Sequence, residues 1–133
     1  MNAHQHRIDP RYVETDQGGR VHHSAFVPWL EEARVLYLKA CGVPYQDVED
    51  AGFILVVRQL DIRYLAPVQF GTPVDIETRI QKLGGASVDF SYVVKQNGIV
   101  CAEAITALAC VNRGGKPTRL PHFLVDKIHF ENR

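Results

Sequence analysis

Apolar and polar residues alternate with period two along most of the stretch 53–113, whereas over 24–41 they recur with helical spacing. In the helical stretch Phe26, Leu30, Ala33, Tyr37 and Ala40 fall on one face. Ser24 stands where an N-cap belongs, Pro28 lies in the first turn, where its missing N–H costs little, and Gly42 follows the last periodic residue. The spacing predicts one helix over 24–41, about 18 residues and roughly 27 Å long at 1.5 Å per residue.

The period-two region divides into strands. Ile54, Val56, Leu60, Ile62 and Tyr64 share one face of the first, opposite Gln59, Asp61 and Arg63. Val74, Ile76, Thr78 and Ile80 then alternate with Asp75, Glu77, Arg79 and Gln81, and after Gly84 and Gly85 comes the apolar row Val88, Phe90, Tyr92 and Val94. Asn97-Gly98 predicts a tight hairpin, because type I′ turns need positive φ at both central positions. The strand over 99–112 is apolar on both faces apart from Glu103, so it belongs in the sheet interior. Residues 6–15 alternate weakly and read as a strand entering Gly18-Gly19. Residues 43–52 read as a polar connection with one short helical turn, 113–121 as the segment that closes the sheet, and 122–128 as a terminal turn of helix. The expected order is one strand, one long helix and a meander of four strands, an α+β fold. One helix covers one face of a five-stranded sheet, so self-association is expected to bury more.

Length and composition fit one domain over 1–133, with 46% apolar residues, enough for a packed core. Fifteen Lys and Arg balance fifteen Asp and Glu, which excludes the strongly basic field that nucleic-acid or membrane-surface binding requires. Cys41, Cys101 and Cys110 are odd in number and lack C-x-x-C spacing, so small buried thiols in a reducing, cytoplasmic setting are expected rather than disulfides or zinc. The first residues, MNAHQHRID, carry no apolar core of a signal peptide, and no run approaches the roughly 18 apolar residues of a membrane span.

The chemistry-bearing residues crowd ahead of the helix, in ETDQGGRVHHSAFVPWLEEAR. This stretch resembles the hotdog-fold family of 4-hydroxybenzoyl-CoA thioesterases: an acid in a T-D-x-x-G turn, a His or Tyr seven residues later, and an aromatic-rich helix with a glutamate. VVRQLDIRYLAPVQFGTPVDI is similar to that family's long strand with its I-x-Y-x-x-P ending. The resemblance implies a five-stranded antiparallel sheet wrapped around one long helix, and a thioester hydrolase acting on coenzyme A thioesters. Asp16 falls on the catalytic carboxylate, Gly18 and Gly19 on the turn, His23 on the helix mouth and Glu31 on the helix glutamate. The sequence departs from the pattern at Ala25-Phe26 and at Arg20, which leaves aromatic and short or medium aliphatic acyl groups equally open.

Thioester hydrolysis needs a nucleophile and donors for the charge that develops on oxygen. Free N–H groups at a helix start supply the donors, and glycines let backbone approach the ligand. Asp16 is expected to attack the carbonyl or to activate water, beside the plainer reading of an Asx-turn residue. His23 is either a ligand contact or packing at the helix start, and one of Glu31 and Glu32 is a solvated charge. Phe26 is a candidate for the acyl pocket. For the phosphates of coenzyme A the candidates are Arg58, Arg113, Lys116 and Arg119, each otherwise a solvated sheet-edge charge. No metal site is expected, because adjacent His22 and His23 point apart on a strand and no third ligand is suitably spaced. No cofactor beyond the thioester substrate is implied, and a homodimer or a dimer of dimers is the expected assembly. The rival readings are a hotdog hydratase or dehydratase, suggested by LPHFLVDKI, and a non-catalytic acyl-CoA-binding protein.

Overall fold

In the computed structural model, which describes residues 2–132, a five-stranded antiparallel sheet packs across one long helix in the hotdog arrangement. The chain runs through β1 (His4–Ile8), a 3-10 turn (Tyr12–Glu14), a second 3-10 turn (His23–Ala25) leading into α1 (Phe26–Ala40), and α2 (Tyr45–Asp50). Strands β2 (Phe53–Tyr64), β3 (Val74–Leu83), β4 (Ser87–Gln96) and β5 (Ile99–Asn112) follow, and α3 (His122–Glu131) ends it. The strand order is β1-β3-β4-β5-β2. The meander is therefore three strands, not four. Because β1 occupies the outer edge of β3, β2 pairs with β5 instead and becomes the opposite edge.

Four local expectations need correction. The first strand ends at Ile8 rather than running to Thr15, since Pro10 cannot donate to a ladder. Thr15 keeps only an isolated bridge to Val21. Ser24 does not cap the helix. A 3-10 turn starts the helical segment one residue earlier, and the His22 side chain instead accepts from the Ser24 N–H through Nδ1, at 3.2 Å. The two faces of β2 also exchange midway. Register against β5 shifts between Val57 and Gln59, leaving Arg58 as an extra residue, and one extra residue reverses every later side chain. Leu55 and Val57 therefore share a face with Leu60, Ile62 and Tyr64, opposite the buried side of β5, while Ile54 and Val56 lie with Gln59, Asp61 and Arg63. The terminal helical turn expected over 122–128 is a full helix, α3, because Leu124 and Ile128 are completely buried.

At its C-terminus α1 closes as its sequence demands. Gly42 adopts φ +90°, its N–H donates to the Lys39 carbonyl at 2.9 Å, and the Val43 N–H donates to the Leu38 carbonyl at 2.8 Å. Phe26, Leu30, Ala33 and Tyr37 of α1 are buried with Ile76, Phe90, Tyr92 and Leu108 of the sheet. Tyr37 meets Phe90 edge-on at 5.8 Å. The Tyr92 hydroxyl lies 2.7 Å from Thr106 Oγ1, and burial pushes its phenol pKa up.

Because Phe90 has no exposed surface, Phe90→Ala should lower unfolding free energy by about 3–5 kcal/mol. Val13→Ala, at a side chain 79% exposed, should stay within about 0.5 kcal/mol. Urea unfolding of both variants measures this.

Candidate active site

The turn before α1 is built around one carboxylate. The Asp16 N–H donates to the Arg20 carbonyl at 2.8 Å, and the Gly19 N–H donates to the Asp16 carbonyl at 3.2 Å. Gly19 sits at φ +77°, where a side chain would be strained. Asp16 Oδ1 accepts the Gly18 N–H at 2.8 Å and the Arg20 N–H at 3.2 Å. Oδ2 takes no hydrogen bond among the described residues. One oxygen of the side chain thus makes the Asx turn, while the other is left without a hydrogen bond among the described residues.

The start of the helical segment is braced from the same stretch. The Trp29 indole N–H donates to Glu14 Oε2 at 2.9 Å, and the Arg11 N–H donates to Glu14 Oε1 at 2.7 Å. The Glu14 carbonyl accepts the His22 N–H at 2.7 Å. His23 comes next, first in its 3-10 turn, and its N–H has no acceptor among the described residues. The Tyr64 hydroxyl donates to the His23 carbonyl at 3.0 Å, and its ring meets Phe26 edge-on at 5.2 Å. Burial raises the pKa of that phenol, so it stays a neutral donor. Asp16, Arg20, His23, Phe26 and Tyr64 line one open pocket of about 370 Å³, with the segment from Leu65 to Val68 along its wall.

The structure thus brings Asp16, His23 and Phe26 together, with Gly18 and Gly19 forming the turn beneath them. It does not bring Glu31 there within one chain. Glu31 is exposed, 3.9 Å from Arg34, on a separate cavity of about 220 Å³ between α1 and the sheet. Glu32 pairs with His6 Nε2 at 2.8 Å. Arg58 stands at the β2 bulge. Arg113 donates to the carbonyls of Glu49 and Asp50, Arg119 lies over Gly85, and Lys116 is exposed. The last three of these cations follow Asn112, which pairs with Phe53, whereas Tyr64 marks the other end of β2, roughly 36 Å away at 3.3 Å per residue. His122 of LPHFLVDKI opens α3 and does not line the Asp16 pocket.

A family model described as the thioesterase-like superfamily matches residues 10–128. The chain belongs to the thioesterase-like superfamily. Among curated relatives of this thioesterase-like chain, the acyl-CoA thioesterase YbgC of Haemophilus influenzae is 30% identical over 120 residues, covering 89% of this chain and 88% of that one. Among solved structures, the DHNA-CoA thioesterase of Staphylococcus aureus superposes with a TM-score of 0.91 at 27% identity, covering 99% of this chain and 94% of that one. A Thermus thermophilus thioesterase complexed with coenzyme A and Zn superposes with a TM-score of 0.82 at 28% identity, covering 97% and 94%.

Glu14 and Tyr64 brace this turn and pocket although sequence reading does not single them out for it, and Trp29, a candidate for the acyl wall alongside Phe26, instead donates to Glu14 and does not line the Asp16 pocket. Tyr64 is visible only as the tyrosine of the I-x-Y-x-x-P strand ending. The Glu14–Trp29 contact carries no sequence signal, because a carboxylate and an indole 15 residues apart meet only once the 3-10 turn is folded.

Trp29→Phe keeps the apolar bulk but leaves a carboxylate that is 8% exposed without its indole donor. Stability should fall by about 1–3 kcal/mol. Far-UV circular dichroism should follow this unfolding, since Trp29 is the single tryptophan.

Proposed function

We propose that this protein hydrolyses acyl-CoA thioesters at the pocket between the Asp16 turn and the start of α1. One observation carries the reading: a carboxylate with one oxygen anchored and one free shares a pocket with a helix-start residue whose N–H has no acceptor among the described residues. The thioester carbonyl oxygen would take the His23 N–H, which supplies charge stabilisation as the carbon becomes tetrahedral. Asp16 Oδ2 then attacks that carbon or takes a proton from the attacking water. The C–S bond breaks, coenzyme A leaves as its thiol, and water supplies the second oxygen of the free acid. The edge-on rings of Phe26 and Tyr64 suit an aromatic acyl group, and a short or medium aliphatic chain meets the same apolar wall.

The working unit in this reading is a homodimer or a pair of dimers. β2 pairs on one side only, a twelve-residue edge with Val57 and Leu60 about 40% exposed, and an unpaired edge of this length invites a second strand. Two copies of β2 paired antiparallel about a two-fold axis bring the Phe53 end of one against the Tyr64 end of the other. Arg113, Lys116 and Arg119 of one chain then approach the Asp16 pocket of its partner, where the phosphates of coenzyme A would emerge, while Arg58, near the middle of β2, stays close to the axis. Glu31 approaches it in the same way.

Thiol release should be followed on a panel from acetyl through medium-chain to benzoyl and hydroxynaphthoyl CoA, for wild type and Asp16→Asn. Hydrolysis of one acyl class, slower by at least about 10² in Asp16→Asn, is expected. Full activity in the variant contradicts the role of Asp16. Sedimentation equilibrium should give two or four times the 15.0 kDa chain mass, and a monomer contradicts the shared site.

A further inference from the structure

Gln96 ends β4 beside the exposed turn residues Asn97 and Gly98, yet it is 6% exposed. A buried primary amide costs free energy unless its groups are paired, and here they are. Gln96 Oε1 accepts the Gln69 N–H at 2.9 Å, while Nε2 donates to the carbonyls of Gln69 at 2.9 Å and Thr72 at 2.8 Å. One side chain thus takes both backbone groups of Gln69, as a neighbouring strand would.

The other edge of the same segment meets the Asp16 turn. The Val21 N–H donates to the Val68 carbonyl at 2.8 Å, the Phe70 N–H donates to the Gly19 carbonyl at 3.3 Å, and Arg20 bridges Gln69. Residues 68–70 are therefore clamped between the turn and the Gln96 amide. From that turn the Gly18 and Arg20 amides hold Asp16 Oδ1. The start of the connection is anchored elsewhere, by the amides of Leu65 and Ala66 on the Cys101 carbonyl. Its middle rests on Gln96.

We propose that Gln96 is a positioning residue for the thioester chemistry, fixing through residues 69–72 the turn that aims the Asp16 carboxylate. The inference rests on the role given to Asp16 above. Gln96→Met keeps length and burial but leaves three backbone groups unpaired. Gln96→Glu keeps the acceptor for Gln69 and loses both donors, so it serves if the first variant folds poorly.

Steady-state kinetics on the best thioester of the panel, well below each melting temperature, should be compared in wild type, Gln96→Met, Asp16→Asn and the double variant. Gln96→Met should lower kcat by about ten- to a hundredfold with KM little changed, the cost of a displacement on the order of 1 Å. Added to Asp16→Asn it should lower the residual rate no further, because it acts through that carboxylate. An unchanged kcat in folded Gln96→Met or Gln96→Glu overturns the inference, as does an equal fold-loss in both backgrounds, the mark of a purely structural role. Wild-type activity in Asp16→Asn alone overturns the Asp16 reading, and this inference with it.

Discussion

Two backbone amides converging on one carboxylate oxygen are the contact on which this site depends. By accepting from Gly18 and Arg20, Asp16 Oδ1 folds the residues around it into a turn and is itself immobilised. A carboxylate held this way has lost the freedom to rotate into solvent, and its second oxygen has a defined direction. That cost in side-chain entropy is met during folding.

The turn is useful because three separate parts of the chain hold it against the helix start. Glu14, buried under Trp29, ties the preceding 3-10 turn to α1 and to the His22 amide. The segment 68–70 pairs with residues 19–21 on one side and with Gln96 on the other. Tyr64 reaches from β2 to the His23 carbonyl. Each contact is polar and is made against backbone or a neighbouring side chain, so each has a fixed geometry that apolar packing alone would not specify. The sheet, through its buried face against α1, supplies the rigid base.

Much of this was legible in the sequence because it is periodic or local. The 3.6-residue spacing from Phe26 marks α1, Asn97-Gly98 marks the β4–β5 hairpin, and the resemblance at Asp16, Gly18, Gly19 and His23 points to the turn ahead of α1. What could not be read depends on contacts across the fold. The bulge at Arg58 reverses the faces of β2, and no alternation rule marks where a strand gains one residue. The swap of β2 to the far edge follows from β1 having taken the edge of β3. The cap at His22 depends on a 3-10 turn, and Glu14, the indole of Trp29 and Gln96 find their partners only through the fold. Glu31 and the late cations stand apart from Asp16, because sequence spacing does not say which parts of the fold meet.

The most direct test of the account is amide NMR of the protein titrated with an acyl-CoA analogue in which a methylene replaces sulfur, leaving a ketone that cannot be hydrolysed. The account predicts that the His23 and Gly18 amide resonances shift on binding the ketone, and that the His23 shift is absent when coenzyme A alone is added. Perturbations confined to the cavity beside Glu31 and Arg34, with His23 unmoved, would contradict it.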